Sequence, residues 1–409
     1  MMTRKTILAL TVAAVFGSSA IVHAEQIFIQ NINATQNDFN SSDSLAITGT
    51  NEVINVQNGH SVILTGSSLL INAKTTADEI DEMKGIRAGS RDAAVVNQIS
   101  LGGRDTKSVK ITVDNSSPQT VTSGVIAQRN GKITVEGESF ELNVIGNRTK
   151  DTYGLSAQGF GGQNDPLLST VEVNAENTKI NVTGRPDGSA AIMAYGRGHV
   201  KINGNLEVNT NPDANGYAIV SRGFSLVEIN PNGGSVVKMN GGIAFAYNET
   251  TSGTPIDANV IINLDRPDSY WHGNSEIVGN PPVGKDNVTG MELYLSNKAE
   301  WTTDGDSFLN VLNIKDGSVN LTGDVDQTIT IDELKGTIGN VSLAAVLNDD
   351  QTIESGTLKI KNPVVDKVQL KVTADGFTAD DVKNAEDVMD SLNGKIQTTD
   401  DSKVSKTLV

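Results

Sequence analysis

Five short segments recur in the first half of the chain and share one pattern. Each has a small residue, an apolar residue, any residue and a second small residue, with glycine or a polar residue soon after, and their first residues lie 39, 30, 37 and 27 positions apart. A drifting interval with a constant strand-like signature is typical of a parallel β-helix, whose coils keep their inward residues while their loops vary in length. The segments are GIRAGS (85–90), GVIAQR (124–129), GLSAQG (154–159), AIMAYG (191–196) and AIVSRG (218–223).

Stretches of alternating apolar and polar residues fill most of the chain after Gln26. Examples are KITVEG (132–137), TVEVNA (170–175), HVKING (199–204) and LVEINP (226–231). A period of two between turn residues predicts strands. A β-sandwich or propeller is the alternative, but a propeller favours a stricter period and more aromatic residues than the 4% present.

One helix is expected, over TADDVKNAEDVMDSLN (378–393). Thr378 is the predicted N-cap and Gly394 the predicted stop. The expected apolar face consists of Val382, Ala385, Met389 and Leu392. The predicted fold is therefore all-β: a right-handed parallel β-helix (a solenoid) with a C-terminal capping region and one short terminal α-helix.

Residues 1–24 have the features of a cleaved signal peptide. Arg4 and Lys5 precede the apolar stretch TILALTVAAVFG, and VHA places small residues at the positions that a signal peptidase reads. Cleavage is expected after Ala24. The apolar stretch is shorter than the roughly 20 residues of a membrane-spanning helix, and no later segment reaches that length, so no transmembrane segment is expected in the mature chain.

Charge and cysteine content exclude several classes of protein. The formal net charge of −17 disfavours nucleic acid and anionic lipid as partners. The chain has no cysteine, which excludes disulfides and cysteine-ligated metal sites. The stability of the fold must therefore come from packing alone.

The segment LYLSNKAEWTTDGDSFLNVLNIKDGSVNLTG (293–323) resembles the C-terminal part of pertactin-like autotransporter passenger domains. In that family an Asn-x-Ala-x-Trp stretch precedes a Gly-x-Ser turn, and ITIDELKGTIGNVSLAAVLND (329–349) is similar to the strands that follow. The matching positions are Asn297, Ala299, Trp301, Gly305, Ser307, Leu312, Gly317 and Leu321.

The resemblance implies a passenger that crosses the outer membrane through a downstream β-barrel and begins to fold at its C-terminal end. No series of barrel strands precedes Val409, so we expect a truncated passenger or a stand-alone relative. The expected organisation is a signal peptide (1–24), a β-helix passenger (25–295), a pertactin-like cap or autochaperone-like region (296–362), and a helix and linker (363–409). Trp301 is expected to cover the last apolar layer of the β-helix.

No catalytic, cofactor-binding or metal-binding residue is predicted. GDSF (305–308) resembles a serine nucleophile motif, but Phe308 replaces the glycine of the protease version and no histidine follows residue 272, so a turn is favoured. Turn positions also account for four aspartates that could serve a glycan-cleaving enzyme. They are Asp304, Asp306, Asp349 and Asp350.

The expected function is that of a non-enzymatic, adhesin-like passenger, a surface-presenting rod exported through the periplasm to the surface or surroundings of a Gram-negative bacterium. Expected partners are a host-surface glycan or matrix protein, and the outer-membrane translocation machinery during export. Binding is expected in the long segments 74–92 and 248–290, the second of which contains Tyr270, Trp271 and His272. In the alternative interpretation, Trp271 has no role in binding and only anchors its loop to the rod. The alternative function is a secreted β-helix polysaccharide lyase or hydrolase, which requires acids converging in a cleft.

Overall fold

The structure is a computed structural model, and it is an all-β parallel β-helix, as the repeats predict. The signal-peptide prediction for residues 1–24 lies outside the described residues. The structure describes residues 25–26, 37–40, 44–49, 52–57, 59–75, 82–89, 95–115, 117, 120–159, 169–186, 188–210, 216–223, 225–245, 260–278, 290–323, 325–363 and 367–408.

The chain forms two compact units. The first comprises Met1–Gly204 and Asn209–Gly216, and the second comprises Asn205–Val208 and Tyr217–Val409. Strand β16 (Asn205–Asn209) is divided between them, because Asn205–Val208 belong to the second unit and Asn209 to the first. The predicted boundaries at 295 and 362 remain predictions.

The strands of the first unit follow each other in short repeats, and all the strand pairs described between them are parallel. Their bounds are β1 (Glu25–Gln26), β2 (Asn37–Asn40), β3 (Ser44–Gly49), β4 (Ile54–Val56), β5 (Ser61–Thr65), β6 (Ser68–Lys74), β7 (Glu82–Ala88), β8 (Asn97–Gly102), β9 (Ser108–Asp114), β10 (Val121–Gln128), β11 (Gly131–Ile145), β12 (Thr152–Gln158), β13 (Ser169–Thr183), β14 (Ala190–Tyr195) and β15 (Gly198–Ile202).

Three parallel ladders run through this unit. One contains β2, β5, β8, the first halves of β11 and β13, and β15. The second contains β1, β3, β6, β9 and the second halves of β11 and β13. The third contains β4, β7, β10, β12 and β14. Because the chain visits the ladders in turn, each coil contributes one strand segment to each ladder.

Four of the five recurring segments lie in the third ladder of this unit, and the fifth, AIVSRG, lies in the second unit. The apolar position of the repeat is occupied in strict register by Ile86, Val125, Leu155 and Ile192, which are fully buried. The small position before it is constrained by backbone: a Cβ on Gly124 would lie 2.9 Å from the carbonyl oxygen in the next coil. The apolar residue of the repeat therefore corresponds to a row of core side chains, and the small residue before it corresponds to a close approach between coils.

Polar side chains also align between coils of the first unit. Asn181 donates from Nδ2 to Asn143 Oδ1 at 2.7 Å, and Asn209 donates to Asn181 Oδ1 at 3.1 Å. Such ladders satisfy amide groups that parallel stacking places at the strand spacing of about 4.8 Å.

The second unit begins with three-strand coils and continues with two-strand coils. Its strands after β16 are β17 (Tyr217–Arg222), β18 (Leu226–Ile229), β19 (Val237–Asn240), β20 (Gly242–Phe245), β21 (Val260–Leu264), β22 (Tyr270–His272), β23 (Ser275–Ile277), β24 (Met291–Ser296), β25 (Glu300–Thr303), β26 (Ser307–Lys315), β27 (Gly317–Leu321), β28 (Thr328–Gly336), β29 (Ile338–Leu347), β30 (Ile353–Ser355), β31 (Thr357–Pro363), β32 (Val368–Asp375), β33 (Ile396–Thr398) and β34 (Val404–Leu408).

Two ladders extend through this unit and a third stops early. The first is β18, β21, β24, β26, β28, β31 and β33, and the second is β19, β22, β25, β27, β29, β32 and β34. The third described ladder is β17, β20 and β23. In the part of the chain that the structure describes, no strand joins the third ladder after β23, so strands follow each other more closely there, as the sequence spacing indicates. β29 and β30 add an antiparallel hairpin.

Trp301 does not cover the last apolar layer, so that expectation is wrong. Its fully buried indole pairs in register with Trp271 on one side and Val319 on the other. The same inward row continues to Val341 and Val372. The physical reason is that each later two-strand coil supplies its own apolar side chain, which leaves the indole in the interior of the stack.

The two tryptophans pack and form hydrogen bonds in the same way in successive coils. Their rings lie parallel, with centroids 5.0 Å apart and an angle of 2° between the planes. Trp271 Nε1 donates to the Gly241 carbonyl at 3.0 Å, and Trp301 Nε1 donates to the Gly273 carbonyl at 3.0 Å. Both glycines have positive φ. Each indole therefore fills the core and satisfies a carbonyl at the corner of the neighbouring coil.

The α-helix α1 spans Ala385–Lys395, so the expected bounds of 378–393 are wrong. Thr378 and Asp381 instead form a capping box on a separate 3-10 turn, Ala379–Asp381. Asn384 is the true N-cap, because its side chain accepts the Glu386 N–H at 3.2 Å.

The helix face and stop also differ from the prediction. Val388 and Leu392 are the buried apolar residues of α1, whereas Met389 is 45% exposed. Gly394 lies inside the helix. Three strands, β32 to β34, accompany the helix in a region where only a helix and linker are expected, and they extend the existing ladders. Among the helices that the structure describes, none is long and apolar enough to cross a membrane.

Candidate functional site

The segment Tyr270-Trp271-His272 forms β22, and its side chains divide between the two sides of the sheet. Trp271 is fully buried, whereas Tyr270 is partly buried and His272 is exposed. The cause is the period of two in a strand, which turns alternate side chains to opposite faces. Trp271 therefore packs in the core, and the two smaller rings lie on the outer side of the strand.

Tyr270 and His272 form a stacked pair on the outer surface. Their ring centroids lie 4.3 Å apart, and the planes differ by 22°. The two rings lie on one strand two residues apart and stack face to face, so each ring covers one face of the other. The flat ladder beneath them fixes the strand that carries both rings.

Polar side chains flank this pair in register. Lys238 on β19 and Glu300 on β25 lie on either side of Tyr270. Asn240 and Thr302 lie in the same way on either side of His272. Adjacent strands are separated by about 4.8 Å, which brings an ammonium, a carboxylate, an amide and a hydroxyl next to the rings.

The polar surface continues for one more strand. Asn320 on β27 lies next to Thr302 and donates to its Oγ1 at 3.2 Å, and Ser318 lies next to Glu300. We call these outward positions the β22 face. It consists of Lys238, Asn240, Tyr270, His272, Glu300, Thr302, Ser318 and Asn320.

Sequence reasoning finds two of these residues and misses the other six. Tyr270 and His272 stand out as a rare aromatic cluster in a chain with 4% aromatic residues. The remaining members are ordinary polar residues of separate strands, and only the strand register brings them together. The alternation of each strand gives their outward orientation, but a single sequence does not give the pairing partner.

The two long segments expected to bind are only partly described. Residues 76–81 and 90–92 of the first, and 248–259 and 279–289 of the second, lie outside the described residues. In the first segment, Lys84 is mostly buried and lies 2.6 Å from the Glu82 carboxylate. A second glutamate, Glu52, pairs with Arg87 at 3.2 Å. These ion pairs are local to the third ladder of the first unit.

Ser307 of the GDSF segment is held as a structural residue. Its side chain is 5% exposed, and Oγ accepts the Ser275 N–H at 3.2 Å. Thr303 Oγ1 lies 3.1 Å from the same hydroxyl oxygen. The neighbouring Phe308 turns outward and packs against Lys361, whose Nζ is 5.3 Å from the ring centroid. Ser307 thus joins two coils at a corner.

The four candidate aspartates are exposed in turns. Asp306 accepts the Thr328 N–H at 2.7 Å, and Asp350 accepts the Thr352 N–H at 3.0 Å. The hydroxyl and backbone N–H of Thr352 lower the pKa of Asp350. The Asp350 contact stabilises its own turn, as expected for aspartate at such a position, whereas the Asp306 contact joins its turn to the start of β28. Asp304 is also exposed, and Asp349 precedes Asp350 in the hairpin turn.

The described histidines lie on different elements. His60 precedes β5, His199 is on β15 and His272 is on β22. Across the described part of the chain, no group of three or more His, Asp or Glu side chains is placed to hold a metal ion.

A second outward tyrosine provides a comparison with the β22 face. Tyr294 on β24 donates its hydroxyl to Glu292 Oε2 at 2.9 Å. Burial, with the added effect of that carboxylate, raises the pKa of Tyr294 to about 12. Its phenol is thus tied to its own strand, whereas the Tyr270 ring is stacked on His272.

Searches for similar proteins return nothing that bears on this surface. No family model, no curated protein and no solved structure matches the chain.

Proposed function

We propose that this chain is an exported, non-enzymatic passenger of the pertactin-like kind, which acts in an adhesin-like way at the surface of a Gram-negative bacterium. It binds a host-surface glycan or a matrix protein through side chains that its ladders turn outward. The outer-membrane translocation machinery is its partner during export. The proposal rests on the signal-like residues 1–24, on the resemblance within 293–349, and on the character of the outer surface.

The β22 face is the observation that supports binding most strongly. It presents an outward-facing aromatic stack, in which His272 is exposed and Tyr270 partly buried, beside hydroxyl, amide and charged groups on a regular sheet. Interaction surfaces commonly combine aromatic contact area with nearby hydrogen-bonding groups. The apolar side chains of the same strands, such as Trp271 and Trp301, are used for the core.

Three of the residues considered for catalysis make contacts of a structural kind. Ser307 is buried in a corner hydrogen-bond network, Asp306 accepts the N–H of Thr328 in the next coil, and Asp350 accepts a backbone N–H in its own turn. A nucleophile needs a base within hydrogen-bond reach, and the contacts of Ser307 described above are to backbone and hydroxyl groups. These contacts favour binding over the alternative of a polysaccharide lyase or hydrolase.

Export is tested on intact cells that produce the chain from their own gene. Cells are treated with a non-specific protease, and the chain is followed by antibody beside a periplasmic marker. The proposal predicts loss of the chain while the marker survives. Protection of both proteins until the outer membrane is permeabilised would overturn surface exposure.

Binding is tested with the purified chain beginning at Glu25. It is applied to printed glycans and to immobilised fibronectin, laminin and collagen, with heat-unfolded chain as the control. The proposal predicts saturable binding by the folded chain to at least one class of ligand. Equal signals from folded and unfolded chain, or no signal on any surface, would refute an adhesin-like activity.

A further inference from the structure

We propose that the β22 face is a binding site for a neutral polysaccharide, with Tyr270 and His272 as the stacking platform for a sugar ring. The inference rests on the proposed binding function and specifies its ligand and its residues. It is carried by three properties of the face: an outward-facing aromatic stack, a regular border of hydrogen-bonding groups, and a local charge unlike that of the whole chain.

The aromatic stack suits the apolar side of a sugar. One face of a pyranose ring carries mainly C–H groups, which pack on aromatic rings with favourable hydrophobic and C–H contacts. Tyr270 and His272 stack on each other with centroids 4.3 Å apart, so each ring keeps one face that the other does not cover, and a sugar ring can pack on such a face. His272 is exposed, and the buried Trp271 between them fixes the strand from below.

The border supplies the hydrogen bonds that sugar hydroxyls require. Lys238 can donate, Glu300 can accept, and Thr302 can do both. These side chains lie on the strands on either side of the rings. A sugar hydroxyl is both donor and acceptor, so a surface with both donors and acceptors satisfies its hydrogen bonds better than a surface with only one of them. Ligand sites commonly combine aromatic contacts with a small number of well-placed polar groups, and the β22 face has both.

The geometry favours a chain rather than a single sugar. The strands repeat at about 4.8 Å, and hydroxyl and amide groups continue from Thr302 to Asn320 along one row and from Glu300 to Ser318 along the other. A ligand with repeating hydroxyl groups can therefore contact successive strands. Each contact adds to affinity without the need for a deep pocket.

Charge favours a neutral ligand over an acidic one. The whole chain has a formal net charge of −17. The β22 face has one lysine, Lys238, and one glutamate, Glu300, so its formal charge balances. An acidic polysaccharide would be repelled by the chain as a whole without a compensating basic patch here. A neutral polysaccharide is not repelled by the net charge and needs no basic patch.

The experiment compares the full chain from Glu25 with matched variants. The variants are Tyr270→Ala, His272→Ala and the conservative Tyr270→Phe, with Tyr294→Ala as the control for loss of an outward tyrosine elsewhere. Probes are printed neutral hexose oligosaccharides and printed uronic-acid and sulfated oligosaccharides. The strongest neutral ligand is then titrated by calorimetry at roughly 50 and 300 mM salt. Far-UV circular dichroism and tryptophan fluorescence check that each variant is folded.

The proposal predicts binding to neutral oligosaccharides that salt changes little. Tyr270→Ala and His272→Ala should each weaken that binding about tenfold, since an aromatic contact of this kind accounts for a change of that order. Tyr270→Phe should retain most of the affinity because it keeps the ring, and Tyr294→Ala should match the wild type.

Other outcomes overturn the inference and remain distinct from failure of the proposed function. Binding confined to acidic glycans or to matrix proteins would refute a neutral-saccharide site while leaving an adhesin-like function intact. Neutral binding that survives both alanine substitutions in folded protein would place the site elsewhere. Absence of binding to every glycan and every matrix protein would refute the proposed function itself.

Discussion

Replacement of Trp301 by alanine should destabilise the second unit strongly. The indole is fully buried, and it stacks on Trp271 at a centroid distance of 5.0 Å. Large-to-small replacement of a buried tryptophan costs about 3–5 kcal/mol. The lost ring pair accounts for about 1 kcal/mol, and the Gly273 carbonyl, which accepts from Nε1 at 3.0 Å, loses its partner at a cost of about 1–3 kcal/mol. Because these contributions overlap, we expect a total of about 5 kcal/mol, at the top of the range for the replacement.

Urea unfolding measures this loss. Transitions are followed by far-UV circular dichroism and by the fluorescence of Trp271, which reports on the neighbouring coil. Trp301→Phe keeps a ring in the stack but loses the indole hydrogen bond, so it should cost about 2 kcal/mol. Val325→Ala removes an exposed side chain in a turn of the same unit and should change stability by less than about 0.5 kcal/mol.

The size of the stability loss tests whether the buried indole stack stabilises the second unit. A loss of less than about 1 kcal/mol in unfolding free energy for Trp301→Ala would show that the indole contributes little to stability. The neighbouring coils would then repack into the space that the indole leaves. An equal loss for Trp301→Phe and Trp301→Ala would assign the effect to the hydrogen bond alone. Either result would contradict the interior stack as the source of stability.

Three further results are expected from stability measurements. Gly336→Ala should lower the unfolding free energy by about 2 kcal/mol or more, because φ is +117° and a Cβ would lie 1.9 Å from the Ile314 carbonyl oxygen; an unchanged urea midpoint would contradict this. Stability should fall as the pH rises from 10 to 12, because an unfolded tyrosine loses its proton near pH 10.0 whereas burial and Glu292 hold the folded pKa of Tyr294 at about 12. Unfolding curves of Tyr294→Phe should lack that part of the decline, and identical pH profiles would refute the assignment. Limited proteolysis should leave a resistant fragment containing residues 296–362, and its loss before the N-terminal coils would argue against a stable C-terminal region.

The coils can be predicted from the sequence because local patterns determine them. Alternation marks strands, and the recurring small-apolar segment marks one ladder, where Val125 and Leu155 pair in register. The depth of Trp301 in the stack could not be predicted in this way. It depends on how many coils follow, and the apolar residues of those coils, such as Val341 and Val372, look like any other strand residues in the sequence.

The helix illustrates a competition between similar local signals. Thr378 and Asp381 have the composition of a helix start, and the structure uses them for a 3-10 turn. Asn384, six residues later, has the same capping chemistry and starts the longer helix, in which Val388 and Leu392 become buried. Propensity alone does not choose between two such starts, because the packing partner decides the buried face.

Only two of the eight residues of the candidate site can be predicted from the sequence, for a related reason. Tyr270 and His272 are two residues apart, so alternation alone places them on one face, opposite Trp271. Lys238 and Glu300 are about 30 residues away on either side in the sequence. Loop lengths differ between coils, so their alignment with Tyr270 is a property of the folded ladder.

The central claim is that the chain binds through its outer surface without chemical turnover. The most direct measurement incubates the chain from Glu25 with neutral and acidic polysaccharides and records bound protein and new reducing ends in the same samples, with and without a chelator. We predict retention on at least one polysaccharide, a neutral one if the β22 face is the site, with reducing ends at the level of the buffer control. New reducing ends that increase with time and disappear when the chelator is added would contradict the account and identify a polysaccharide-cleaving enzyme.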